Sequence, residues 1–195
     1  MNETKKLVYV DEYGLIGSNF YWHKYEAKGL TKEDILTAGL TSDRVQVDES
    51  LIVPLQSIER DLQPLGYRLY IKEGYRSREL YEIIYKRRVE KFGKAETDSL
   101  LNMEGMPHAL GLSVDVALWS LADNKEVYLR DGNDGIDALF IFFYKDKLGP
   151  EASTYQALQD TLITHMMSHG FRLGTKREYF HFDFRPDTLP NYTQS

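Results

Sequence analysis

LSVDVAL, residues 112–118, alternates along its whole length: Leu112, Val114, Val116 and Leu118 fall on one face of an extended chain, and Ser113, Asp115 and Ala117 on the other. Period-two alternation of aliphatic residues marks a half-buried strand, and here it leaves a carboxylate, Asp115, on the face away from the aliphatic one. A second such run is YRLYIKE, residues 67–73, in which Tyr67, Leu69 and Ile71 oppose Arg68, Tyr70 and Lys72 until Gly74 breaks the pattern. Arg76 therefore falls in the turn after a strand. A third strand is expected over 179–184, with Tyr179, His181 and Asp183 on one face and Phe180, Phe182 and Phe184 on the other, the phenylalanines turned to the core.

Helical spacing fills much of the remainder. Leu51, Leu55, Ile58 and Leu62 recur every three or four residues, Pro54 is tolerable in a first turn, and Pro64 and Gly66 close the segment. Ser77 caps a helix that runs to about Phe92 with Leu80, Ile83 and Ile84 on its apolar side, and residues 153–169 form an amphipathic helix ended by Gly170. The polar stretch 93–105 reads as a loop, 123–137 is turn-rich, and residues 1–48 are aromatic and irregular. Strands and helices do not alternate as a doubly wound parallel sheet requires, so the expected class is α+β, a mainly antiparallel sheet with helices packed on it. A chain of 195 residues without repeats, low-complexity tracts or a Pro/Gly-rich linker fits one domain, with 1–48 packed against it.

Composition narrows the function. The net charge of -6 gives no domain-wide basic field, so Lys86, Arg87 and Arg88 read as the solvated face of a helix and no nucleic-acid partner is expected. No apolar run approaches the ~20 residues of a membrane helix, and none of signal-peptide length follows the two lysines near the N-terminus, so a soluble, cytoplasmic protein is expected. Cysteine is absent, which removes disulfides, thiolate ligands and a cysteine nucleophile. A metal would have to rest on His, Asp and Glu.

Those residue types gather in two segments, MPHALGLSVDVAL and REYFHFDF, which hold His108, Asp115, Glu178 and His181. Three of the four can close three corners of a tetrahedral zinc site while the fourth stays a spare carboxylate, and three protein ligands with an open position mark a catalytic rather than a structural zinc. His108 and Asp115 are seven apart, which would place them on opposite faces of one strand, so His108 must swing back through a bend that Gly111 permits. Glu178 must likewise turn through a local distortion at the strand entrance. Each residue has a plainer reading: a hydrogen-bonded structural histidine, a solvated aspartate, a surface glutamate, and for Arg76 a surface salt bridge. A rival pair, His165 and His169, is spaced like a helical zinc motif, but Met166 stands where that motif has its glutamate and no third ligand is evident. His23, among Phe20, Tyr21, Trp22 and Tyr25, reads as a packing residue.

Taken with Glu73-Gly74-Tyr75-Arg76-Ser77 upstream, the order and spacing of His108, Asp115, Glu178 and His181 resemble the zinc D-alanyl-D-alanine dipeptidase and carboxypeptidase family, which includes the VanX-type enzymes. The resemblance covers roughly residues 50–185 and implies the fold shared with the Hedgehog signalling domain. It implies that His108, Asp115 and His181 hold one zinc, that Glu178 is the general base, that Arg76 stabilises the transition state, and that the substrate is a small peptide such as D-Ala-D-Ala. Met106 stands where the family usually has a small hydroxylated residue, Ser113 where it has alanine, and Tyr179 and Phe180 where it has two tryptophans or Pro-Trp. A D,D-carboxypeptidase or muropeptide endopeptidase is the neighbouring expectation. A non-enzymatic zinc-binding module is the third, against which Arg76 and Glu178 speak, since such a module needs neither.

Overall fold

Residues 6–192 are described by a computed structural model. Its N-terminal part is more regular than its composition suggests. Strands β1 (Leu7–Tyr9), β2 (Ile16–Gly17) and β3 (Gln46–Asp48) enclose two short helices, α1 (Phe20–Lys24) and α2 (Lys32–Thr37). Elements of two to six residues are shorter than the window in which hydrophobic period can be read, and local chemistry defines them instead. The Asn19 side chain accepts from the backbone N–H groups of Tyr21 and Trp22, and Thr31 and Asp34 form a reciprocal capping box at the start of α2.

The long elements follow their patterns. In α3 (Ile52–Leu62) and the 3-10 turn before it, Leu51, Leu55, Ile58 and Leu62 are wholly buried. β4 (Tyr67–Glu73) buries Leu69 and Ile71, and the Ser77 hydroxyl accepts from Leu80 N–H at 3.1 Å to start α4 (Arg78–Phe92). The expected 93–105 loop is instead partly helical: α5 (Lys94–Leu100) begins where Gly93, at φ 84°, ends α4. It lacks an apolar stripe. Polar contacts hold it, with Thr97 buried and donating to Gly93 C=O, Asp98 paired with Lys94 one turn earlier, and the Tyr85 hydroxyl donating to Asp98. Then come β5 (Ser113–Ser120), β6 (Lys125–Glu126), α6 (Pro150–Ser168), β7 (Phe171–Leu173) and β8 (His181–Phe184). Gly170, at φ 88°, turns the chain from α6 into β7.

β1 and β3 pair antiparallel, Val8 opposite Val47. The larger sheet has the order β2-β4-β5-β8-β7, with β6 on β5, and the β5–β6 and β7–β8 pairings are antiparallel. The architecture is α+β, as expected. The chain groups into two compact units, Met1–Ile52 with Ile71–Val114 and Val53–Tyr70 with Asp115–Ser195. No helix among the described residues is long and apolar enough to cross a membrane.

In the second unit the chain beyond β8 returns along β7. Asn191 closes a pair of hydrogen bonds with the N–H and C=O of Leu173, and the buried Arg172 donates to the carbonyls of Met167, Phe171, Thr188 and Leu189.

Candidate metal site

β5 and β8 are neighbours, and Val116 N–H donates to Phe180 C=O at 2.9 Å. Val114, Val116 and Leu118 are fully buried on one face of β5, so Asp115 stands on the other. There its Oδ1 lies 2.8 Å from Nδ1 of His181, the first residue of β8. The expected strand over 179–184 starts two residues late. Glu178 to His181 form a hydrogen-bonded turn closed by His181 N–H donating to Glu178 C=O, and Tyr179 N–H is drawn to Leu139 C=O. Phe180 is accordingly half-buried while Tyr179 is buried, the reverse of a simple alternation. The distortion needed to admit Glu178 sits one residue earlier, at Arg177, whose φ of 60° is left-handed.

His181 is buried, and its other nitrogen, Nε2, lies 3.3 Å from Asp183 Oδ1. Burial disfavours the imidazolium, but the hydrogen bonds to Asp115 and Asp183 outweigh it and push the pKa up to about 10. An imidazole that ligates a metal gives up the proton on its ligand nitrogen, so metal binding by His181 would be coupled to pH.

His108 lies in a 3-10 turn, Pro107–Leu110, that Gly111 ends at φ 76°, the bend its distance from Asp115 demanded. Met106 opens the turn at φ 38°, a left-handed conformation that costs a non-glycine residue on the order of 1 kcal/mol. The His108 ring is buried with Nδ1 2.7 Å from Gly74 C=O. A carbonyl only accepts, so Nδ1 carries the proton and Nε2 presents its lone pair. The backbone N–H of His108 donates to the Tyr81 hydroxyl, and its C=O accepts from Arg76 N–H.

One ligand atom from each of His108, Asp115 and His181 lies within 4.8 Å of the others, the one such group of three among the described residues. Two imidazoles and a carboxylate in a cysteine-free chain fit the three-ligand donor set of a zinc with an open position. Glu178 is buried on the same turn as His181. Arg76 is not a surface residue: it is 4% exposed, donates through Nε and Nη2 to Glu73, itself 1% exposed, and lies against the rings of Tyr21 and Tyr81. Although burial works against the charge, Glu73 and the two tyrosines hold the guanidinium protonated.

The other histidines are accounted for locally. His165 bonds through Nδ1 to Thr161 C=O and His169 through Nε2 to Asp61. His23 is exposed rather than packed. Its Nε2 faces both Ser18 Oγ at 2.8 Å and Asp43 at 3.6 Å, so serine and aspartate share one nitrogen and no relay across the ring exists. Sequence reasoning did not pair Glu73 with Arg76, or Asp183 and Gly174 with the His181 ring. Asp183 was legible, since strand alternation sets it beside His181. Gly174 was not: a Cβ there would fall 2.2 Å from Cδ2 of the His181 ring, a closeness that only the fold reveals.

No protein-family model and no curated protein matches the sequence. Solved structures similar in shape at low identity include the following three. The chain is 17% identical to the LdcB LD-carboxypeptidase, described for peptidoglycan recognition, with a TM-score of 0.48 over 73% of this chain and 61% of that one. It is 18% identical to a variant of the vancomycin-resistance D,D-pentapeptidase VanY in complex with Zn(II), with a TM-score of 0.46 over 71% and 72%. It is 16% identical to the vancomycin-resistance D,D-dipeptidase VanXYg in complex with a D-Ala-D-Ala phosphinate analogue, with a TM-score of 0.43 over 93% and 67%. The chain thus spans about three fifths of the length of the first of these.

Proposed function

We propose that this chain is a zinc-dependent peptidase that hydrolyses D-Ala-D-Ala, with His108, Asp115 and His181 as the metal ligands. The observation that carries the reading is the convergence of those three side chains, with a buried glutamate on the same turn as one of them. Bound there, zinc would supply Lewis acidity toward the peptide carbonyl and toward water. Glu178 accepts the proton of the attacking water on its carboxylate and returns it to the leaving amine, as a general base turned acid. Arg76 contributes a fixed positive charge to the developing oxyanion. Glu73 takes one hydrogen each from Nε and Nη2, so the hydrogens of Nη1 and the second one of Nη2 are those that can donate to the oxyanion. Tyr81 and the Gly74 carbonyl orient His108.

A dipeptidase must neutralise both termini of a very small ligand, because burying either charge without a partner is prohibitive. D-Ala-D-Ala should therefore be cleaved at least about tenfold more efficiently in kcat/KM than a pentapeptide stem with the same end, a margin of about 1.4 kcal/mol. N-acetylation of the dipeptide should remove most of the rate. Comparable rates on all three substrates would move the reading to a carboxypeptidase of longer cell-wall peptides. In the same assay Glu178→Ala should keep its zinc by elemental analysis and lose roughly 10²- to 10⁴-fold in turnover. Near-wild-type turnover in that variant would falsify the role of Glu178, and undiminished zinc in His181→Ala would remove the metal assignment.

A further inference from the structure

His181 is engaged on both ring nitrogens by different carboxylates. Nδ1 faces Asp115, a proposed ligand, whereas Nε2 faces Asp183, which lies outside the ligand group. We propose that Asp183 is the positioning residue of His181: it holds Nε2, so that Nδ1 is the nitrogen offered to the metal. This rests on the zinc reading above and deepens it.

Three observations in β8 and its surroundings carry the assignment. Residues 181 and 183 share a strand face, and Asp183 is 6% exposed, so its carboxylate is fixed beside the ring rather than waving in solvent. Its second oxygen accepts from Arg185 Nη2 at 2.8 Å, which sets the carboxylate's own orientation. The edge of the ring that carries Nε2 also rests on bare backbone, since an added Cβ at Gly174 would lie 2.2 Å from Cδ2 and 2.8 Å from Nε2. A ring held by a carboxylate on one side and by backbone at its edge has one orientation. Chemistry supplies the reason: an imidazole that ligates through one nitrogen carries its proton on the other, and a buried N–H needs an acceptor. His108 meets the same need with a neutral acceptor on the opposite nitrogen, Gly74 C=O at Nδ1. The two histidines would thus approach one ion through different ring nitrogens, and only His181 would have a charged acceptor behind it to raise its basicity.

The test is zinc affinity together with ring spectroscopy. Wild type, Asp183→Asn, Asp183→Ala and His181→Ala are titrated with zinc against a chromophoric chelator. The His181 ring is observed in the zinc-loaded proteins by ¹⁵N–¹H NMR. The expected result is a Kd weakened roughly 10- to 100-fold in Asp183→Ala, the usual cost of a lost outer partner, with partial rescue in Asp183→Asn, whose amide oxygen still accepts. In wild type the Nε2–H should be protected from exchange, and it should be exposed to exchange in Asp183→Ala. A purely structural role would not move that ring signal while circular dichroism stayed unchanged. Wild-type Kd in both Asp183 variants, or zinc on Nε2, overturns the proposal and leaves the metal site standing. An unchanged Kd in His181→Ala overturns the metal site and this proposal with it.

Discussion

A guanidinium and a carboxylate buried side by side make a position sensitive to mutation. Arg76 and Glu73 have left water together, so each is tolerable only in the presence of the other. Arg76→Ala should cost on the order of 3–5 kcal/mol in urea denaturation, because it strands the Glu73 carboxylate. A loss of activity in that variant would say nothing about chemistry. Replacing both, as Arg76→Met with Glu73→Leu, should restore most of the stability while hydrolysis stays abolished. Wild-type hydrolysis by the double variant would remove Arg76 from the reaction and leave it a structural residue. The same two residues mark a limit of sequence reading. Arg76 was singled out by the motif that contains it, but its burial and its partner were not, since a charge pair three residues apart looks the same in sequence whether it lies on a surface or in a core.

At the scale of elements, the short helix α2 depends on one carboxylate. Asp34 closes the capping box with Thr31 and also accepts from Arg87 of α4, and that hydrogen bond is the chief reason its pKa lies below the usual carboxylate value. Asp34→Ala should lower stability at neutral pH by about 1–2 kcal/mol, most of it the cap, since Arg87 is partly solvent-screened. A depressed carboxylate contributes fully above its unfolded pKa and loses its contribution as pH falls through the folded one. The difference between wild type and variant should therefore shrink below about pH 4, as thermal melts across pH would reveal. The elements built on apolar period, β4, α3, α4 and α6, were legible because burial selects one face of each, and β5 because its aliphatic residues alternate with small and polar ones although both of its faces are largely buried. α2 and α5 were not, since caps and polar contacts hold them and leave no periodic trace. β8 was placed but begun too early, because a left-handed Arg177 and a turn interrupt an alternation that the sequence carries straight through. The segments that hold His108 and His181 stood out for another reason: the chain has only five histidines, and the bend at Gly111 was implied by an odd spacing.

On the scale of the whole chain, the last turn of sequence does structural duty in the second unit. Arg172 has carbonyls as its partners at Thr188 and Leu189, and Asn191 pairs with Leu173 like one more rung of a ladder. Deleting residues 188–195 should leave the buried guanidinium short of acceptors. The truncated protein should then melt several degrees lower, in keeping with a loss of about 1–3 kcal/mol for an unsatisfied buried donor. An unchanged melting temperature would show that Arg172 finds other acceptors. The two compact units, meanwhile, are interleaved along the chain, each made of two separated stretches with crossings after Ile52, Tyr70 and Val114. No single cut in the gene can part the two units, since the piece that holds all of the first also carries residues 53–70 of the second, and a join of two ready-made halves end to end could not have produced this order. A split version of the protein, severed after Val114, would give a first fragment that already carries residues 53–70 of the other unit, so that second unit could be completed only after the two pieces had found each other.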